Sequence, residues 1–321
     1  MTTLVIGAGL VGSQVARLLV EDGAKPVLFD RAAQVDALAE IVDPARVALV
    51  SGDVLRPYTI LDAIRAHGIT EIVHTAANPL LTLGAQREPY AAIELNIMGT
   101  VNVLEAARVM KLGRVVVSSS NVLSHYLAGG EGKGDLAKEE ALPRPVTFYA
   151  ATKQAIENLG LNYARWCGVD FVAVRYGAVA GPWSGQGGGG PSNIFRDAVL
   201  KAMAGEEAVV PAGAMEWVYS KDAAAGTMLA LNAGTLTQRV FNITMGKATP
   251  PEEFVRALRE AVPGAKVRVA DPPAAGASLM DMSYGSDLGE AQRSLGYAPQ
   301  FDVAGAVKDM VAWYRSNRRP R

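Results

Sequence analysis

A tyrosine and a lysine four residues apart, Tyr149 and Lys153, stand near the start of an apolar-periodic run over 148–166. The run opens after Pro143, Pro145 and a candidate cap at Thr147, and it stops at Gly168, so it reads as a helix. Residues four apart share a helix face, which directs the phenol and the ammonium into the same space. A phenol alone, with a pKa of about 10, is a poor base near neutrality. A fixed cation beside it favours the phenolate and brings proton exchange with an alcohol within reach. Tyrosine and lysine are common helix residues, so the meaning of the pair depends on what the rest of the chain places around it.

Those surroundings alternate. Strand-like runs at 4–6, 27–29, 47–50, 72–74, 114–117 and 171–174 are separated by helical patterns at 10–21, 32–41, 58–67, 88–110 and 148–166. Such alternation predicts an α/β fold built on a Rossmann-type doubly wound parallel sheet. The strict pattern ends near residue 175, where glycines resume at Gly177, Gly181 and Gly187 to Gly190. The expected division is a nucleotide-binding domain over 1–174, with 220–244 returning to it, and a smaller α/β C-terminal substrate domain in the remainder of 175–321. The glycine run is expected to form a mobile loop over a site.

Between the first strand and the first helix lies Gly7-Ala8-Gly9-Leu10-Val11-Gly12, and Asp30 ends the second strand. Glycines there permit a tight turn, and the amides opening the helix present a positive dipole end to a pyrophosphate. Asp30 would accept hydrogen bonds from ribose hydroxyls and repel a 2′-phosphate, so NAD is expected rather than NADP. Gly52, Asp53 and Val54 follow the third strand, where the Asp53 carboxylate could meet the adenine or serve only as a turn residue. Thr75, Ala76 and Ala77 follow the fourth, where small side chains let a cofactor lie against backbone. After the fifth comes Ser118-Ser119-Ser120-Asn121, offering a hydroxyl beside Tyr149 without deciding which serine supplies it.

Composition bounds the rest. A net charge of -1 carries no electrostatic footprint for nucleic acid or an anionic membrane surface. The basic tail Arg318-Arg319-Pro320-Arg321 reads as a solvated end. One cysteine, Cys167, excludes an intramolecular disulfide, and with three histidines it leaves no ligand cluster, so no metal site is expected. No apolar run has membrane-spanning length, and the glycine-rich start reads as a strand, so the cytoplasm is the expected compartment.

With these residues assembled, the chain resembles an extended short-chain dehydrogenase/reductase of the NAD-dependent epimerase/dehydratase family. The likeness rests on Tyr149-x-x-x-Lys153, the serine run into Val122, the stretch from Glu94 to Arg108, Arg175-Tyr176-Gly177 through Pro182, Val218-Tyr219-Ser220-Lys221-Asp222, and Leu295-Gly296-Tyr297-Ala298-Pro299. It implies that Tyr149 is the general acid/base and that Lys153 lowers its pKa and holds the nicotinamide ribose. It implies that Ser119 completes the triad, with Ser120 as runner-up, and that Asn96 supports the lysine. It adds Ser118, Tyr176 and Ala178 to the cofactor site and implies a homodimer through the helices at 88–110 and 148–166.

Departures from the family pattern narrow the activity. Family dehydratases carry an Asp-Glu pair where this chain has Ser120-Asn121, neither a usable acid or base, so sugar dehydration is disfavoured. Family epimerases place Asn where Ala178 stands and Arg before the Val218 segment, to hold a diphosphate. Met215-Glu216-Trp217 occupies that stretch, and a carboxylate there would repel a diphosphate unless Glu216 is a solvated surface charge; Arg196 could substitute for the arginine. The expected reaction is therefore hydride transfer between NAD and a secondary alcohol or ketone of a small hydroxylated substrate. Ser119, Ser120, His125, Tyr126, Trp183, Asn193 and Trp217 are its candidate contacts. An epimerase that retains its NAD is the alternative, and a non-catalytic NAD-sensing protein is a third reading.

Overall fold

Strand β1 (Thr3–Ile6) is buried on both faces: Val5 packs into one apolar cluster, while Leu4 and Ile6 pack into another on the opposite side. The same alternation recurs in β5 (Val115–Ser120), with Val116 on one face and Val115 and Val117 on the other. Strands of this kind belong inside a parallel sheet covered by helices. The computed structural model describes residues 1–77, 88–125, 139, 145, 147–272 and 285–317.

Seven parallel strands form the large sheet, in the order β10-β6-β5-β4-β1-β2-β3. They are β1, β2 (Val27–Asp30), β3 (Ala48–Ser51), β4 (Glu71–His74), β5, β6 (Phe171–Tyr176) and β10 (Val240–Ile243). One face is covered by α1 (Leu10–Glu21), through Val15, Ala16 and Leu19, and by α9 (Ser220–Asn232), through Ala223, Ala224 and Met228. The other is covered by α3 (Pro57–His67), α5 (Gly99–Met110) and α7 (Phe148–Cys167), through Ile60, Leu104 and Ile156. Each fully buried aliphatic side chain contributes roughly 2 kcal/mol, so these two layers hold the frame on which the site is mounted. The order of connection reverses between β1 and β4, which opens a crevice at the carboxyl edge where such sheets take ligands.

Beyond β6 the chain builds a smaller region. Strands β7 (Ala178–Ala180), β9 (Met215–Tyr219) and β11 (Ala248–Thr249) form one small sheet, and β8 (Ala208–Val210) pairs with β12 (Val267–Val269). Its core gathers Phe195 from α8 (Gly190–Met203), Trp217, Phe254 from α10 (Pro251–Ala261) and Tyr314 from α12 (Val303–Asn317). Between β9 and β11, the segment from α9 to β10 rejoins the large sheet, β10 pairing with β6 from Val240↔Ala173 to Ile243↔Tyr176.

Several elements differ from the sequence reading. The helix expected over 88–110 is interrupted: α4 (Pro89–Ile93) runs into a π-helical turn, Glu94–Met98, before α5 begins. A π turn carries one extra residue and leaves backbone groups off the regular ladder, and such turns concentrate at functional sites. The helix expected over 32–41 shrinks to α2 (Val35–Ala39), and the short helices α6 (Val122–His125) and α11 (Gly289–Leu295) have no counterpart in the sequence reading.

Candidate active site

Helix α7 begins where the sequence placed it, because the Thr147 hydroxyl accepts the Ala150 amide at 3.2 Å and caps the first turn. It ends at Gly168, in the left-handed region at φ 71°. Tyr149, Lys153 and Glu157 follow one another at four-residue intervals on the buried face and meet three consecutive serines of β5. The Ser120 hydroxyl lies near enough to the Tyr149 phenol to favour its ionised form. The Lys153 ammonium donates to the Ser118 carbonyl at 2.8 Å. The Ser119 hydroxyl donates to Glu157 Oε1 at 2.5 Å.

This arrangement corrects the expectation for Ser119. Adjacent residues of a strand point to opposite faces, so the side chains of Ser119 and Ser120 cannot both face Tyr149. Ser119 is bound into a buried pair in which Arg175 Nη2 meets Glu157 Oε2 at 2.7 Å and Arg175 Nε meets Oε1 at 2.9 Å. Ser120 is the serine beside the phenol. Glu157 could have been anticipated, since it repeats the four-residue spacing of Tyr149 and Lys153; Arg175 lies on another element and could not.

Burial dominates the electrostatics. It pushes the Tyr149 phenol up to about 12, opposed by the Ser120 hydroxyl. It pulls the Lys153 ammonium down to about 8, opposed by the Glu157 carboxylate. The lysine nitrogen lies 5.6 Å from the centre of the Tyr149 ring. Desolvation, rather than the Lys153 charge, sets the direction of the phenol's shift. His74, at the end of β4, is buried and pulled down to about 3 by desolvation first and the Lys153 charge second. Its Nε2 lies 3.3 Å from Thr100 Oγ1, which donates to the Asn96 carbonyl at 2.7 Å. Asn96, in the π turn, donates from its side chain to Thr152 Oγ1 at 3.1 Å, and Thr152 donates to the Tyr149 carbonyl at 2.8 Å. Asn96 therefore braces the first turn of α7 through Thr152.

The residues at the other end of the crevice fit a dinucleotide. Gly7 sits at φ 100°, and a Cβ there would come within 2.7 Å of the Ala76 nitrogen and 2.9 Å of Thr75 Oγ1. A Cβ on Gly12 would lie 1.8 Å from the Gly7 carbonyl oxygen, so turn, helix and β4 edge close only around glycine. A Cβ on Gly9 would meet nothing within 4 Å, and α1 opens with no side-chain cap and no acidic residue in its first turn. The amides of Leu10, Val11 and Gly12 are thereby left for an anion. Asp30 is held by the Ala8 and Ala32 amides, each at 2.8 Å, and each carboxylate oxygen keeps acceptor capacity for a ribose hydroxyl.

The remaining expected residues have these neighbours within the chain. Asp53 caps the Leu55 amide at 2.9 Å, as a turn residue does, and Val54 is buried, with a Cβ at Gly99 coming within 2.8 Å of it. The Gly52 backbone packs on the Phe29 ring, and Ala77 is half-buried beside Ala76. Tyr176 turns its phenol inward onto Thr227, so that group faces core rather than crevice; Ala178 opens β7 and pairs with Trp217. Trp217 is packed edge-on against Phe195 and belongs to the core of the smaller region. Trp183 is also buried, and Asn193 donates to the Gly188 carbonyl at 3.4 Å. Glu216 is neither a solvated charge nor a group facing the crevice: it is wholly buried, accepting from Asn121 at 2.8 Å, Thr244 at 2.7 Å and Ser286 at 2.6 Å. Arg196 is engaged with the Gly185 carbonyl at 3.2 Å. Tyr126 and the tail Arg318 to Arg321 lie outside the described residues, as does the side chain of His125.

A parallel doubly wound sheet with a glycine turn, an acid at the end of the second strand and a Tyr-Lys pair at the carboxyl edge has the make-up of a dinucleotide-dependent enzyme. Comparison agrees: the sequence profile of the NAD dependent epimerase/dehydratase family matches residues 3–244, and the chain belongs to that family. It is 26% identical to UDP-glucuronate 4-epimerase 4 of Arabidopsis thaliana, over 98% of this chain and 76% of that protein. Among solved structures it is similar to UDP-glucose 4-epimerase of Thermus thermophilus in complex with NAD, at 25% identity and a TM-score of 0.84, covering 99% of this chain and 100% of the other. It is likewise similar to an L-threonine dehydrogenase from Cupriavidus necator, at 25% identity and a TM-score of 0.82, covering 97% and 99%. The family is one of NAD-dependent enzymes, and NAD is its cofactor.

Proposed function

We propose that the chain oxidises a secondary alcohol, or reduces the matching ketone, on a small hydroxylated molecule such as a sugar, sugar acid or hydroxy amino acid. The observation that carries this reading is the convergence of Ser120, Tyr149 and Lys153 at the end of β5. NAD, when bound, supplies the hydride chemistry. Tyr149 exchanges the proton of the substrate hydroxyl, Ser120 orients that oxygen, and Lys153 supplies the charge that favours the phenolate. Gly7, Gly9, Gly12 and Asp30 hold the dinucleotide, and Asp30 disfavours a 2′-phosphate.

The preference for a small substrate rests on Met215-Glu216-Trp217 and Ala178, which stand where the family's epimerases carry a diphosphate-binding arginine and an asparagine. The similarity to an L-threonine dehydrogenase, which by name acts on a small hydroxylated molecule, is in keeping with that preference. The second reading is an epimerase that retains NAD, favoured by the likeness to two epimerases of sugar nucleotides. The exposed free Cys167 suits a reducing compartment such as the cytoplasm, and no described helix is long and apolar enough to cross a membrane.

The deciding experiment is to denature the purified protein and assay released NAD, then to screen sugars, sugar acids and hydroxy amino acids with added NAD while following NADH absorbance. Cofactor-poor protein that forms NADH with one alcohol is the expected result. Stoichiometric retained NAD with no net NADH from any alcohol sinks the dehydrogenase reading and moves the assignment to the epimerase.

A further inference from the structure

The glycine-rich segment after β7 does not hang free over the substrate side. Its Gln186 is clasped by Gln34, in the connection that follows Asp30: the Gln34 side-chain amide donates to the Gln186 carbonyl at 2.9 Å, and the Gln186 amide donates back to Gln34 Oε1 at 2.5 Å. A carboxamide that pairs both its donor and its acceptor with one backbone residue reproduces the exchange between strands. The two residues are 152 positions apart in sequence.

Several contacts hold the segment in that place. The Trp183 indole donates to the same Gln186 carbonyl at 3.2 Å, and Arg196 donates to the Gly185 carbonyl at 3.2 Å. Gly185 lies directly on Gln34 and Trp183, since a Cβ there would come within 2.9 Å of Gln34 Oε1 and 2.6 Å of the Trp183 ring. Immediately beyond the clasp, Gly187 and Gly188 sit at φ 94° and 88°, a backbone region that glycine enters and leaves without strain. Trp183 and Asn193 thus both serve this segment.

The path of the segment gives the clasp its meaning. Val179 of β7 packs against the same core cluster as Val11 in the first turn of α1. From there the chain reaches Gln186, on the connection whose Ala32 amide anchors Asp30. Residues 181–186 therefore lead from the end of β7, paired with β9, to the connection beside the carboxylate expected to hold the adenosine ribose. We propose that this segment is a strap across the adenosine end of the cofactor crevice, latched by Gln34 and Gln186 and hinged at Gly187 and Gly188, and that opening the latch gates cofactor entry and exit. The proposal rests on the NAD-dependent reading above and adds to it what decides whether cofactor is exchanged or retained.

The test uses the full chain and NADH as probe, with association followed by nucleotide fluorescence and release followed by displacement with excess NAD. Gln34→Ala removes both hydrogen bonds, and association and release should each quicken about tenfold, the size expected for two ordinary hydrogen bonds. Because a gate acts on both directions, the dissociation constant should change far less than either rate. Gly185→Ala, which wedges the same contact from the strap side, should move the rates in the same direction. Folded variants with wild-type rates overturn the proposal. So does faster release with unchanged association, which would make Gln34 a simple cofactor contact. A wild-type chain that binds no NADH overturns the NAD-dependent reading itself, an outcome separate from either of these.

Discussion

Ser119 Oγ and Glu157 Oε1 are joined by a buried hydrogen bond of 2.5 Å, and this bond removes Ser119 from the surroundings of the Tyr149 phenol. The same carboxylate is neutralised by Arg175, so the serine completes a structural ion pair. Replacing Ser119 with Ala should lower the melting temperature while leaving kcat within a few-fold of wild type. Replacing Ser120 with Ala should lower kcat by about 10²-fold, and Tyr149→Phe by about 10²- to 10⁴-fold, at unchanged stability. Thermal melts and steady-state kinetics on the alcohol found in the screen separate the two serines; equal kinetic losses at both would remove Ser120 from its proposed role.

Glu157→Gln removes the carboxylate that meets the buried Arg175 guanidinium at 2.7 Å. Breaking a buried pair from one side costs about 3–5 kcal/mol, so chemical denaturation of this variant should show a loss of that order. A change below about 1 kcal/mol would mean that another acceptor takes over the arginine.

Lys153 at about 8 and Tyr149 at about 12 imply that the pair releases its first proton near pH 8. Phenolate beside ammonium holds the same number of protons as phenol beside amine, and it is the form that accepts a proton from an alcohol. Alcohol oxidation should therefore accelerate as pH rises through about 8. Lys153→Met should erase that limb of the kcat profile and reduce activity about 10²-fold at pH 8. A profile flat from pH 6 to 10 in the wild type would contradict this coupling.

His74 is pulled down to about 3 in the folded chain from an ordinary value near 6.5. Below pH 6.5 the unfolded chain binds a proton that the folded chain refuses, so stability falls as pH drops from 6.5 toward 3. The loss is at most on the order of 5 kcal/mol. Denaturant titrations at pH 7 and pH 4 should show a smaller acid loss for His74→Gln than for wild type. Equal slopes would show that other groups set the acid limit.

The interrupted helix exposes Tyr90, Ile93, Met98 and Val109, and α7 exposes Phe148, Leu159 and Trp166, with Tyr90 and Trp166 76% and 72% accessible. Apolar side chains exposed on these helices are where the homodimer expected from the family likeness would make its contact. Light scattering at micromolar concentration should give twice the chain mass, and Met98→Glu with Trp166→Glu should give the chain mass. A wild-type monomer would refute the dimer.

The features legible in the sequence were those set within one element or between adjacent ones. The 3.6-residue period of α7 is enough to place Tyr149 and Lys153 on one face, and Thr147 and Gly168 mark its ends. The turn from Gly7 to Gly12, followed by Asp30, is likewise a local pattern with a local cause. What only the tertiary structure decided depends on pairing between distant segments. A strand alternates its faces, but the face of β5 that looks at α7 is set by its register against β4 and β6, and that register turned Ser119 toward Glu157 and Ser120 toward Tyr149. The sequence left Glu216 as either a carboxylate facing a diphosphate or a solvated charge, because its partners Asn121, Thr244 and Ser286 are supplied by three other segments, and Trp217 is core because Phe195 and Phe254 arrive beside it. The clasp of Gln34 on Gln186 belongs to the same class: its hydrogen bonds exist only once the sheet has brought the end of β2 and the strap after β7 to one edge. Periodicity constrains which residues share a face, whereas long-range pairing chooses what that face meets.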